Sequence, residues 1–184
     1  SVTINNGGTL NTSGSPILNL TPAAAGTAWT IGSTATFTPG NSTVKITSDA
    51  AITAVNGTTT FNNLQLVPTI TAARAYTLQA GFGSPITING DFLINPTKAT
   101  SVARLTVTMA STLTGANTST FTIMGTDFGQ STLTTSTSNY AITTGFIILG
   151  HRGTLTANGS TITINGTSGT LMTRTGSTVG VFVR

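Results

Sequence analysis

The 184-residue chain has no cysteine and no glutamate, one histidine, two tyrosines and one tryptophan, and its formal charges are three Asp against seven Lys or Arg. The lack of cysteine removes any disulfide framework or thiolate metal site, and it neither requires nor excludes export. Acid/base and nucleophilic catalysis rest on paired His, Asp, Glu, Lys, Cys or Tyr. Asp49, Asp91 and Asp127 are far apart in sequence and the histidine is single, so no enzyme, cofactor or metal is expected. The longest apolar run, Phe146-Ile147-Ile148-Leu149, is far short of the ~20 residues of a membrane-spanning helix, and no span is expected. The net charge of +4 comes from Lys45, Arg74, Lys98, Arg104, Arg152, Arg174 and Arg184, scattered and without interleaved aromatics. Nucleic-acid binding needs a clustered basic patch and is not expected either.

What the chain does have is threonine: 44 Thr, with 21 Gly, 16 Ser and 14 Asn, make up half of it. A hydrophobic content of 38% argues against disorder, which combines low hydrophobicity with high charge. The length suits one domain, 1–184. The charged share of 5% lies far below the usual ~25%, so solubility must come from hydroxyls and amides, or from modification, or else the chain lives in an assembly.

Alternation dominates. Thr43–Thr47, Arg104–Met109 and Thr161–Asn165 switch between apolar and polar at every residue, the period of a strand with one buried face. Thr and Val suit such strands because their branched Cβ packs on a pleated surface. No eleven-residue window carries a helical stripe. Five Asn-Gly pairs, at 6–7, 56–57, 89–90, 158–159 and 165–166, mark turns. The fold class read from this pattern is all-β.

A Thr-Ile unit begins at Thr3, Thr30, Thr87, Thr122 and Thr163, with a Phe variant at Thr60 and a related unit at Ile148. Thr36–Thr47 also aligns without gaps to Thr154–Asn165. Most of these steps fall near 27–30 residues, one coil of three short strands and their turns. The reading is therefore a single-stranded parallel β-helix, or β-solenoid, of about six to seven coils, with a β-sandwich as the alternative. The expected interior is Leu10, Ile31, Phe37, Val44, Ile46, Phe61, Leu64, Ile88, Leu105, Val107, Ile123, Ile148, Leu155, Ile162 and Ile164. Asn5, Asn89 and Asn165 are expected to stack as amide ladders at the turns.

Four segments carry a resemblance: Thr60–Leu64, Ile88–Ile94, Ser138–Thr143 and Gly153–Thr163. Their phrasing resembles the repetitive Thr/Gly/Asn-rich extracellular β-solenoid surface proteins of bacteria, notably of candidate-phyla lineages. The resemblance covers most of the chain, least clearly 97–120. It implies a cell-surface adhesin, stalk or fibre and carries no catalytic signature. Those relatives often run to many hundreds of residues, and this chain is short.

The polar residues offer weak ligand-binding candidates. Asp91 and Asp127 sit in similar places, Gly90-Asp91-Phe92 and Thr126-Asp127-Phe128, and are read first as turn caps; two carboxylates make a poor Ca²⁺ cage. Asp49 stands alone. His151 lies in a turn between glycines, and Trp29 is read as core packing ahead of sugar stacking. Thr-x-Thr pairs are numerous, among them 36/38, 106/108, 112/114, 132/134, 154/156 and 161/163. A flat Thr ladder can order water, as on ice-binding surfaces. With so much threonine such pairs arise by chance, however, and these are expected on different strands of the coil.

The ends are expected to matter more. The chain starts at Ser1 without Met or an apolar signal core, as a processed or excised segment would. Val2 and Ile4 at one end, and Val179, Val181, Phe182 and Val183 at the other, read as strands without caps and form the expected assembly interface. An uncapped end-to-end contact does not close and gives a filament. The expected function is a structural subunit or segment of an extracellular microbial filament or cell-surface fibre. Its partner would be itself, with surface glycans as further partners. The alternative is a carbohydrate-binding or carbohydrate-degrading β-helix.

Overall fold

In the computed structural model, residues 1–80, 84–100, 102–125, 129–138, 140–167 and the backbone of 172–174 are described. The chain winds through seven rungs. The first three are β1 (Val2–Ile4), β2 (Thr9–Asn11) and β3 (Ile17–Leu20); β4 (Thr27–Ile31), β5 (Thr36–Thr38) and β6 (Thr43–Ile46); and β7 (Ile52–Asn56), β8 (Thr60–Phe61), β9 (Asn63–Leu66) and β10 (Thr69–Ile70). The fourth is β11 (Arg74–Gln79), β12 (Ile86–Ile88), β13 (Phe92–Ile94) and β14 (Thr97–Lys98). The last three are β15 (Leu105–Met109), β16 (Leu113–Gly115) and β17 (Thr120–Ile123); β18 (Ser131–Thr134), β19 (Ile142–Thr144) and β20 (Phe146–Leu149); and β21 (Gly153–Thr156), β22 (Ile162–Ile164) and β23 (Met172–Arg174).

The first strands of all rungs form one seven-stranded sheet, β1-β4-β7-β11-β15-β18-β21, and the third strands another, β3-β6-β9-β13-β17-β20-β23. The second strands split into β2-β5 and β8-β12-β16-β19-β22, and β10-β14 forms a small extra sheet. Every pairing is parallel. The protein is a β-solenoid, all-β, with no helix among the described residues.

Period-2 alternation sets which side chain enters the rod. Along β15, Leu105, Val107 and Met109 are buried while Thr106 and Thr108 face out. Parallel pairing then stacks like on like. Val44, Leu64, Phe92, Phe121 and Ile147 form one internal column, and Ile46, Leu66, Ile94, Ile123 and Leu149 the next. Trp29 packs on Phe37 and Phe61, with ring centroids 4.6 and 5.2 Å away, and Phe92 meets Phe121 edge-on at 5.4 Å.

Most of the expected interior is buried. Leu10, Ile162 and Ile164 are half-buried and pack on the core from the end rungs. Ile148 is a correction: it faces outward, and Ile147 and Leu149 point in. An unbroken run from Phe146 to Leu149 has no alternation to fix its register, so stacking on Phe121 and Ile123 decides it. The amide ladder is a second correction. Asn5 follows β1, whereas Asn89 and Asn165 follow β12 and β22 with two rungs between them; the three do not stack.

The Asn-Gly pairs serve two purposes. Gly7, Gly57 and the pair Asn158-Gly159 adopt positive φ, as tight turns demand. Gly90 is glycine for a different reason: a Cβ there would overlap the Asn63 side chain of the neighbouring rung.

The coil length is not constant. Val2 stacks on Trp29, 27 residues later, but Val44 stacks on Leu64 after 20 and Tyr76 on Val107 after 31. The repeated Thr-Ile units are true stacking partners for Thr3/Thr30, Thr60/Thr87 and Thr122/Ile148. The gapless match of 36–47 to 154–165 is not a coil register: it sets β5 and β6 against β21 and β22, which lie in different sheets.

Candidate functional site at the open end of the rod

The first rung carries the expected interface residues Val2 and Ile4. Among the described residues β1, β2 and β3 pair with β4, β5 and β6 on one side, and no described strand pairs with their other edges. Ile4 is buried, and Val2, Leu10 and Leu18 are half-buried. Each continues an internal column, with Val2 above Trp29, Leu10 above Phe37 and Leu18 above Val44. These side chains line a shallow apolar hollow together with Thr3, Asn5, Gly8 and Thr9. The geometry suits a further parallel rung, which would satisfy the backbone edge and cover the apolar columns together. Val179, Val181, Phe182 and Val183 lie outside the described residues, as does Asp127.

The remaining candidates are spread over the rod. Trp29 is wholly buried and offers no face to a sugar. Asp91 is exposed and works as a turn cap. Its N–H donates to Asn63 Oδ1 at 2.8 Å, and its Oδ1 accepts from Thr120 N at 3.0 Å, linking three rungs. His151 sits in the turn before β21, where its carbonyl accepts from Gly125 N at 2.7 Å. The structure does not bring Trp29, Asp91 and His151 together. Among the described residues no cluster of three His, Cys, Asp or Glu could hold a metal, and no helix is long and apolar enough to cross a membrane.

Two charged arrangements escaped the sequence. Asp49 does not stand alone: it accepts from Arg74 Nε at 2.8 Å, Thr71 Oγ1 at 2.7 Å and Thr71 N at 3.2 Å, one rung away. Burial acts to raise its carboxyl pKa, but the hydrogen bonds from Thr71 and Arg74 outweigh it and hold the carboxyl below the usual range. Beside it, the buried Tyr76 hydroxyl donates to Ser48 O; burial and the Asp49 charge push that phenol well above its usual range. At the same margin of the first sheet, Arg104, Gln130 and Arg152 directly precede the stacked residues Leu105, Ser131 and Gly153. No paired register sets one charge directly on another.

Lys98, on β14, is 9% exposed and donates to Gln130 O at 2.8 Å. Burial, with the charges of Arg104 and Arg152, lowers its pKa to about 8. The folded state thus releases this proton before the unfolded chain does, so stability should rise as pH goes from about 8 toward 10. Above pH ~10 the protonated Tyr76 opposes further gain. Urea midpoints across this range are expected to show the rise, worth about 1–3 kcal/mol, and Lys98→Met is expected to flatten it.

The fold and its edge define a class, the parallel β-solenoid repeat protein. No protein-family model matches the chain, no curated protein matches it, and no solved structure matches it.

Proposed function

We infer that the protein is a structural unit of an extracellular microbial filament or cell-surface fibre, joined end to end with copies of itself. The observation that carries this reading is the first rung, whose open backbone edge and half-buried Val2, Leu10 and Leu18 continue the internal columns. The charge pattern supports it. Stacked like charges one rung apart would repel at ~4.8 Å, and among the described residues polar or apolar residues pair with every charged strand residue: Lys45 with Asn19 and Gln65, Arg74 with Leu105, Lys98 with Ile70 and Arg174 with Leu149.

Electron microscopy and sedimentation over a range of concentrations test the reading. Filaments are expected, with a meridional repeat near 4.8 Å in fibre diffraction. Leu10→Lys places an ammonium on the end face and is expected to leave a folded monomer. A compact wild-type monomer at every concentration would sink the proposal.

A further inference from the structure

Three of the Thr-x-Thr pairs expected on different strands are in fact stacked. Thr106/Thr108 on β15, Thr132/Thr134 on β18 and Thr154/Thr156 on β21 occupy consecutive rungs of the first sheet, in strict register. β11 extends both columns with Ala75 and Thr77. The column through Thr108 then continues past Thr77 to Thr53 and Thr27, six threonines on six rungs. A register shift between Thr77 and Leu78 against β7 marks where the two-column array begins.

Seven of the eight positions from β11 to β21 are Thr, where a share of 44 in 184 would place about two. Outward strand positions do not demand threonine as such. The third sheet shows Asn19, Lys45, Gln65, Leu93, Phe146 and Ile148 at equivalent places. The second-strand sheet has one full column, Thr60, Thr87, Thr114, Thr143 and Thr163, but its neighbouring column is broken by Pro85 and Ala141.

The array forms a two-dimensional lattice, ~4.8 Å between rungs and ~6.6 Å between alternate residues of a strand. Every point but Ala75 carries one methyl and one hydroxyl, and the β-branched threonine side chain holds both in a narrow range of χ1. No charged residue interrupts the lattice. The hydroxyls of Thr77, Thr106, Thr108, Thr132, Thr154 and Thr156 make no hydrogen bond among the described residues, while Thr134 Oγ1 accepts from Asn158 Nδ2 at 2.8 Å and from Ser136 N at 3.4 Å. A hydroxyl can donate once and accept twice, so the six free ones can anchor water at six of the eight lattice points, with methyl groups spacing the waters between them. Of the two repeats, the one between rungs is close to the a-axis repeat of hexagonal ice, and the one along the strand is shorter than its c-axis repeat.

We propose that this lateral Thr face binds crystalline water, a second activity independent of the rod's ends. Purified protein is expected to show thermal hysteresis and to inhibit ice recrystallisation. Thr132→Lys, at the centre of the array, sets a long charged side chain among the lattice points and is expected to remove most of the hysteresis at matched concentration, with unchanged circular dichroism. Thr143→Lys, on the broken second-strand array, is expected to retain full activity. Should Thr132→Lys not fold, Thr132→Ser and Thr106→Lys read the same face. Absence of any ice effect in the wild type would overturn the proposal. So would full activity in a folded Thr132→Lys, an equal loss in a folded Thr143→Lys, or retention on insoluble polysaccharide without an effect on ice.

Discussion

Phe92→Ala is expected to remove about 3–5 kcal/mol of stability. Phe92 is wholly buried on the fourth of seven rungs, between Leu64 above and Phe121 below, with the Phe121 ring 5.4 Å away. Truncation deletes the ring contact and leaves a void that stacked neighbours, fixed by the backbone ladder, cannot close. In a rod whose rungs touch only their neighbours, stability is close to a sum of nearest-rung terms. The damage therefore falls on the junction between the two halves. Urea unfolding followed by far-UV circular dichroism is expected to change from one transition to two. Ile148→Ala, outward on the same sheet, is expected to cost under about 1 kcal/mol. Equal losses for the two variants would contradict the assignment of Phe92 to the interior column.

Gly153→Val is expected to cost about 3 kcal/mol. Gly153 opens β21 and stacks on Ser131. Its φ is not in the left-handed region, so the demand for glycine is one of space. A Cβ would overlap the carbonyl of Ile123, an oxygen already accepting from Gly150 N at 2.9 Å. The corner between β20 and β21 would have to open, releasing that bond. Gly7 makes the comparison: its φ is 74° and a Cβ would meet nothing within 4 Å, so Gly7→Ala should cost only the left-handed strain of about 1–2 kcal/mol. Thermal denaturation of the two variants checks both figures. A Gly153→Val protein as stable as wild type would show that the corner is looser than described.

The period-2 pattern made the strands legible because each face of the rod needs inward aliphatic and outward polar residues. The same uniformity blurred the coil. A strand followed by a turn is written alike on all three faces, so Thr36–Thr47 matches Thr154–Asn165 while lying on different sheets. The Thr array was hidden for a related reason. Thr106 to Thr132 is 26 residues and Thr132 to Thr154 is 22, so no fixed period aligns them. Asp49 looked solitary because Thr71 and Arg74 lie 22 and 25 residues away, one rung in space. Lys98 carried no signal at all: its burial follows from the small extra pair β10–β14, whose strands are two residues each.

The unequal coils bear on how such a rod tolerates change. Closing a flexible loop costs about three-halves RT ln n, so a coil of 31 residues is dearer than one of 20 by only about 0.4 kcal/mol. That is less than a single buried methylene contributes. Residues gained or lost at a corner therefore cost almost nothing in chain entropy, while the stacked columns keep their places. The rod is held to its lattice by contact between neighbouring rungs, and its sequence is free to lengthen or shorten between them.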